Sequence, residues 1–125
     1  MDNLKINERK DTPYILFNID TGIFEISGKS LPEDANIFFS PIIAWVTAYV
    51  KAPKDITTLN LKFVYIKTAS SKKILEIVDL FVKNKKPKNE LIINWFYKIE
   101  DEEQREEGED YADMVNYPFK LIGYS

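Results

Sequence analysis

The sequence predicts an α/β domain, bordering on α+β, in which a single mixed β-sheet is packed by about three main helices. Three observations predict it. The 125 residues are 45% hydrophobic, enough to close one core of ordinary domain size without a metal or a disulfide. Apolar residues recur first with period two and then with the helical period, so strands and helices alternate along the chain. No internal repeat or interdomain linker interrupts the pattern, and the order reads β-β-α-β-α-β-α, followed by a short stretch suited to one more strand.

Residues 1–11, MDNLKINERKD, are polar and charged and are expected to form a flexible tail ahead of a single domain over residues 12–125. From Tyr14, YILFNID reads as a strand and TGIFEISGK as a second. The Asp20-Thr21-Gly22 turn between them makes a hairpin. SLPEDA is a helix start, with Glu33 and Asp34 suited to the positive end of the helix dipole. Phe38, Ile42, Trp45, Val46 and Tyr49 then share one helical face, and Pro41 within that run is expected to break or restart the helix.

TTLNLKFVYI alternates, with Leu59, Leu61, Phe63 and Tyr65 on one face and Val64 and Ile66 on the other. The pattern predicts an inner strand covered on both sides. Three hydroxyls (Thr68, Ser70, Ser71) and two lysines (Lys72, Lys73) lead into a second amphipathic helix marked by Ile74, Ile77, Val78, Phe81 and Val82. LIINWFY reads as another buried strand. An acidic run opens a third helix whose apolar face is Tyr111, Met114 and Val115; Pro118 stops it, and FKLIGY supplies the last strand.

Composition excludes several functions. With no cysteine there is no thiol chemistry and no disulfide framework, and with no histidine the usual general base and the commonest metal ligand are missing. The N-terminal segment has no apolar stretch for secretion, and no apolar run approaches the roughly 18 residues of a membrane span. The expectation is a cytoplasmic protein with no membrane insertion. Net charge is −3, which argues against nucleic acid as a partner. The charge is uneven, however. Residues 100–110 carry eight acids and one arginine, whereas residues 67–88 carry seven lysines and two acids. Such asymmetry steers protein partners.

No G-x-S-x-G, Walker loop or G-x-G-x-x-G is present, and four glycines cannot build a glycine-rich phosphate cradle. The acidic run lacks the spacing of an EF-hand loop, so no metal site and no cofactor is expected. The aromatic residues sit at core spacing, where packing accounts for them. YIKTASSKK, residues 65–73, remains: a strand end, three hydroxyls, two lysines and a helix start. Ser and Thr are preferred helix caps, yet one cap residue meets that need and three hydroxyls exceed it. A phosphate on Thr68 would meet free backbone amides at the positive helix end, with Lys72 and Lys73 close by.

The sequence resembles the SiaC family of bacterial regulatory phosphoproteins from Thr12 to Tyr124. The resemblance is carried by TPYILFNIDTGIFEISGKSLPED, FFSPIIAWVTAY, TTLNLKFVYIKTASSK, NWFYKIEDEE, GEDYADM and PFKLI in that order. It implies a fold like that of STAS domains and anti-sigma-factor antagonists, and a phosphorylated threonine at the position of Thr68, here flanked by Lys67 and Ala69. It further implies a non-enzymatic partner-switching protein: a Ser/Thr protein kinase would modify Thr68, a PP2C-type phosphatase would reverse it, and the unmodified form would control an effector such as a GGDEF diguanylate cyclase, in cyclic-di-GMP and biofilm signalling. On this reading Ser70 and Ser71 cap or adjust the helix, Lys72 contacts the phosphate, and the helix beginning near Ser70 forms part of the partner surface. Two alternatives stand beside it. One is a constitutive interaction or assembly domain in which the hydroxyls only cap; the other is a small enzyme using carboxylates such as Glu33 and Asp34 as acid and base.

Overall fold

The computed structural model describes residues 1–125. Strands β1 (Leu4–Ile6), β2 (Tyr14–Asn18), β3 (Ile23–Ser30), β4 (Ile56–Ile66), β5 (Glu90–Lys98) and β6 (Lys120–Tyr124) form one sheet in sequential order. Helix α1 (Ala35–Tyr49) joins β3 to β4, α2 (Thr68–Lys83) joins β4 to β5, and α3 (Glu102–Val115) joins β5 to β6. The α/β class and the mixed sheet are as the sequence predicts: β1, β2 and β3 pair antiparallel, and β3 through β6 pair parallel.

The hairpin forms as read. Asn18 Oδ1 accepts from the amides of Asp20 and Thr21, at 3.0 and 3.3 Å. Gly22 turns at φ 72°, a backbone angle that L side chains rarely adopt. Any Cβ at that position would also lie 2.6 Å from the Ile56 carbonyl oxygen.

Residues 1–11 are not a free tail. Leu4, Lys5 and Ile6 pair with Phe17, Leu16 and Ile15. The Asn3 side chain accepts from the Ile19 amide at 2.8 Å, and Trp45 Nε1 donates to the Asp2 carbonyl at 2.9 Å. Two apolar residues two positions apart, in a charged segment, are a weak signal for a strand. Packing of Leu4 and Ile6 against the core decides the matter.

Helix α1 also runs unbroken through Pro41. Pro41 lies on the exposed face, as does Ile37 one turn earlier, so water reaches the one carbonyl that proline leaves unpaired. Phe39, Ile42, Val46 and Tyr49 meanwhile hold the opposite face in the core.

The core lies between the helices and one face of the sheet. Ile15, Phe17, Phe24, Ile26, Leu59, Leu61, Ile93 and Trp95 point into it, against Ile74, Ile77, Val78 and Phe81 of α2. On α3 the buried positions are Gly108, Tyr111 and Val115; Tyr111 and Val115 are as expected, whereas Met114 is 67% exposed and Gly108 takes its place on the packed face.

The second face of the sheet carries no helix, contrary to the expectation that β4 is covered on both sides. Each crossover advances by one strand in the same direction. With the common handedness of such connections, this puts every helix on one face. The alternation of β4 also changes phase near its end. A bulge sets Gly28 opposite Phe63 but Lys29 opposite Tyr65, which turns Tyr65 away from the core side and leaves Val64 and Tyr65 exposed.

Candidate functional site

Because β3, β4 and β5 are parallel, the helices that follow them all begin at the same carboxyl edge of the sheet. Two of the three starts are closed by an aspartate. Asp34 accepts from the Ile37 amide at 3.1 Å at the head of α1, and Asp101 accepts from the Gln104 amide at 2.9 Å at the head of α3. Asp34 thus acts as a cap. Helix α2 differs. Its cap position is Lys67, in extended backbone, and no side chain bonds to the first-turn amides. Its first internal bond runs from the Ser71 amide to the Lys67 carbonyl at 2.9 Å, and the Lys67 amide is anchored on the Ser30 carbonyl at 2.9 Å.

The three hydroxyls therefore have three separate fates, and none is a cap. Thr68 is the first residue of the helix and is exposed, as are Lys67, Ala69 and Lys72. Ser70 is 1% exposed, with no protein partner for its hydroxyl. Ser71 pairs with the Tyr111 hydroxyl across the α2–α3 contact. The expectation that Ser70 and Ser71 cap the helix is corrected accordingly. Capping requires a side chain at the residue before the first helical one, and the chain places Lys67 there.

Thr68 lies in an open cleft between the heads of α1 and α2. Glu33, Asp34 and Asn36 line one wall, and Lys67, Lys72 and Lys73 line the other. Lys73 has a loose partner in Glu76 at 3.9 Å, whereas Lys72 takes part in none of the protein's three ion pairs. On the far side of the β4–α2 connection a second cleft joins Val64 and Tyr65 to Asp101, Glu103 and Glu107. Thr68 thus stands among the lysines of α2, with acidic side chains on both the α1 and the α3 side and exposed apolar side chains towards α3. Burial, reinforced by the Asp101 and Asp110 carboxylates, holds the Glu107 carboxyl above the ordinary range. Burial likewise pushes the Tyr111 phenol up to about 12, although its bond to Ser71 works the other way.

Chemically, this edge presents an exposed hydroxyl and the uncapped amides of a helix head to a reagent arriving from outside. Gln104 is a residue that the sequence did not single out. Its side chain donates to the Phe63 carbonyl at 2.7 Å and accepts from the Lys98 amide at 2.8 Å, while its own carbonyl accepts from Trp95 Nε1 at 2.9 Å. It clamps the head of α3 to the ends of β4 and β5. The one signal for it in the sequence is that it is the uncharged long side chain inside an acidic run.

Comparison with known proteins bears on this edge. The sequence matches the SiaC family of regulatory phosphoproteins over residues 6–124. It is 26% identical over 121 residues to an uncharacterised protein of Pseudomonas aeruginosa strain UCBPP-PA14, covering 97% of this chain and 96% of that one. Among solved structures it is similar to apo-SiaC from Pseudomonas aeruginosa, with TM-score 0.86 and 25% identity, covering 98% of this chain and all of that one. It is equally similar to SiaC in the crystal structure of the diguanylate cyclase SiaD with its activator SiaC, from the same organism. There the TM-score is 0.89 and the identity 25%, over 97% of this chain and 99% of that one.

Proposed function

This chain belongs to the SiaC family of regulatory phosphoproteins, and on that premise we propose that it is a non-enzymatic partner-switching protein whose switch is phosphorylation of Thr68. The observation that carries the reading is the head of α2: the one helix start at the carboxyl edge without a capping side chain, with an exposed threonine as its first residue and Lys67 and Lys72 beside it. A phosphate on the Thr68 hydroxyl has the first-turn amides and the positive helix end within reach, and Lys72 supplies a free cation. The fold tolerates the group there. The edge changes by roughly −1.5 to −2 charges, between a basic and an acidic wall.

In this reading the unmodified edge, with Val64, Tyr65 and the head of α2, docks and activates an effector. The complex of SiaC with the diguanylate cyclase SiaD supports a cyclase of that kind as the effector. A Ser/Thr protein kinase adds the phosphate and a PP2C-type phosphatase removes it, all in the cytoplasm. No helix of the chain is long and apolar enough to cross a membrane.

The test is phosphopeptide mapping of the protein from its native cells, followed by effector binding with Thr68→Asp and Thr68→Ala. A single phosphate on Thr68 is expected, with binding retained by Thr68→Ala and lost, by roughly tenfold or more, in Thr68→Asp. Equal binding by both variants would establish a constitutive interaction domain instead.

A further inference from the structure

The bare face of the sheet has a composition that asks for a partner. Parallel sheets occur almost only with both faces covered, because their strands bury apolar side chains on either side. Here β3 to β6 are parallel, and Leu16, Ile92 and Phe96 on the uncovered face are half-buried, with Ile23 and Ile122 at 48% and 36% exposure. The charges around them are mostly of one sign. Lys5, Lys29, Lys62, Lys98 and Lys120 are exposed on this face from β1 and from β3 to β6, against Glu25, which is engaged by the Ser27 hydroxyl at 2.7 Å, and Glu90 at the start of β5. All three ion pairs of the protein lie on α2 and α3, so none of these lysines has an anionic partner. Lys62 rests instead 4.5 Å above the Tyr124 ring.

We infer that this face is a second docking surface, separate from the Thr68 edge, and that its occupant is an acidic amphipathic helix of another protein. A second copy of this chain meeting the face with its own would set lysines against lysines, which disfavours a symmetric pair. A helix fits the space. Six strands at about 4.8 Å spacing span roughly 24 Å, the length of about 16 residues of helix at 1.5 Å each. Leucines on its inner face would cover Leu16, Ile92, Phe96 and Ile122, and glutamates along its flanks would meet Lys62, Lys98 and Lys120. The surface lies across the sheet from α2, so occupancy does not depend on the phosphorylation state of Thr68.

The experiment is a selection on the intact chain. A displayed library of helices of about 18 residues, with leucine at the inward positions and Glu, Lys, Ser or Gln randomised elsewhere, is panned against it. Selected helices are expected to be rich in glutamate. Their amide-shift footprint should fall on β2 and β4 to β6, and their affinity should drop roughly tenfold in Lys62→Glu/Lys98→Glu and again in added salt. Thr68→Asp should bind them unchanged, which separates failure here from failure of the switch. Both lysines are exposed, and an unaltered melting curve shows that the double variant is folded; Lys120→Glu alone is the second probe. Four results overturn the inference: no helix enriched, lysine-rich helices enriched, a footprint at the Thr68 edge, or displacement of the selected helices by a single-stranded RNA pool that binds more tightly.

Discussion

Gly108 is where helix propensity and packing oppose each other most directly. Alanine is favoured over glycine in a helix by about 1 kcal/mol, so propensity alone would make Gly108→Ala stabilising. A Cβ at that position, however, would lie 2.7 Å from Trp95 Cγ and Nε1. Trp95 cannot give way: it is 1% exposed, it is fixed by its bond to Gln104, and it packs on Phe63 and Tyr111. Overpacking of this kind costs about 1–3 kcal/mol, so Gly108→Ala should lower the urea-unfolding free energy despite its better propensity. Glu107 beside it titrates in the opposite sense from a paired carboxylate. Its folded pKa is raised, so the native state holds the proton more tightly than the unfolded one, and stability falls as pH rises from the ordinary carboxylate value through the raised one. Glu107→Gln should therefore melt higher than the parent at pH 7, and the difference should vanish near pH ~4. An equal gap at both pH values would show that burial of the charge is not the cause. Thr68 makes no capping bond, so Thr68→Ala should change stability by no more than about 0.5 kcal/mol, as read by thermal melting.

Between elements, the Ser71–Tyr111 hydroxyl pair joins the head of α2 to α3. The two partners are not equivalent. Tyr111 is 3% exposed, so Ser71→Ala strands a buried phenol and should cost about 1–3 kcal/mol, whereas Tyr111→Phe leaves a half-buried hydroxyl that water can reach and should cost about 0.5–1.5 kcal/mol. The double variant should lose less than the sum, and a double-mutant cycle by denaturant unfolding reads the coupling. A purely additive cycle would mean that the pair contributes nothing between the helices. Helix α1 shows the same precedence of packing over local rule, since Phe39, Ile42, Val46 and Tyr49 carry it through Pro41.

For the whole molecule, the direction of the three crossovers decides what each surface can do. Every step goes to the next strand, so all helices gather on one face and all their heads on one edge. Three positive helix ends thus share the edge that carries Thr68, with those of α1 and α2 flanking it, while the lysine-studded face stays open on the other side. The two surfaces should respond differently to charge. Thr68→Asp should weaken effector binding without moving the melting temperature by more than a degree or two, and Lys62→Glu/Lys98→Glu should leave effector control by the Thr68 edge intact. Loss of both activities in either variant, measured by parallel binding assays, would show one continuous surface rather than two.

The sequence by itself determined the strand and helix order from Tyr14 onward, the class of the fold, the hairpin at Gly22 and the position of Thr68 between a central strand and a helix. Each of these is written in the spacing of apolar residues and in turn chemistry, which act over a few residues. Tertiary structure alone decided the rest. The pairing of Leu4–Ile6 rests on a strand ten residues away, and the burial of Ser70 and the bond of Ser71 to Tyr111 depend on how α2 meets the sheet and α3. The bulge at the end of β4 reverses an alternation that local pattern had placed on the other face. Which side of the sheet stayed bare followed from the handedness of the crossovers, a property of the chain's path in space and not of any segment's composition.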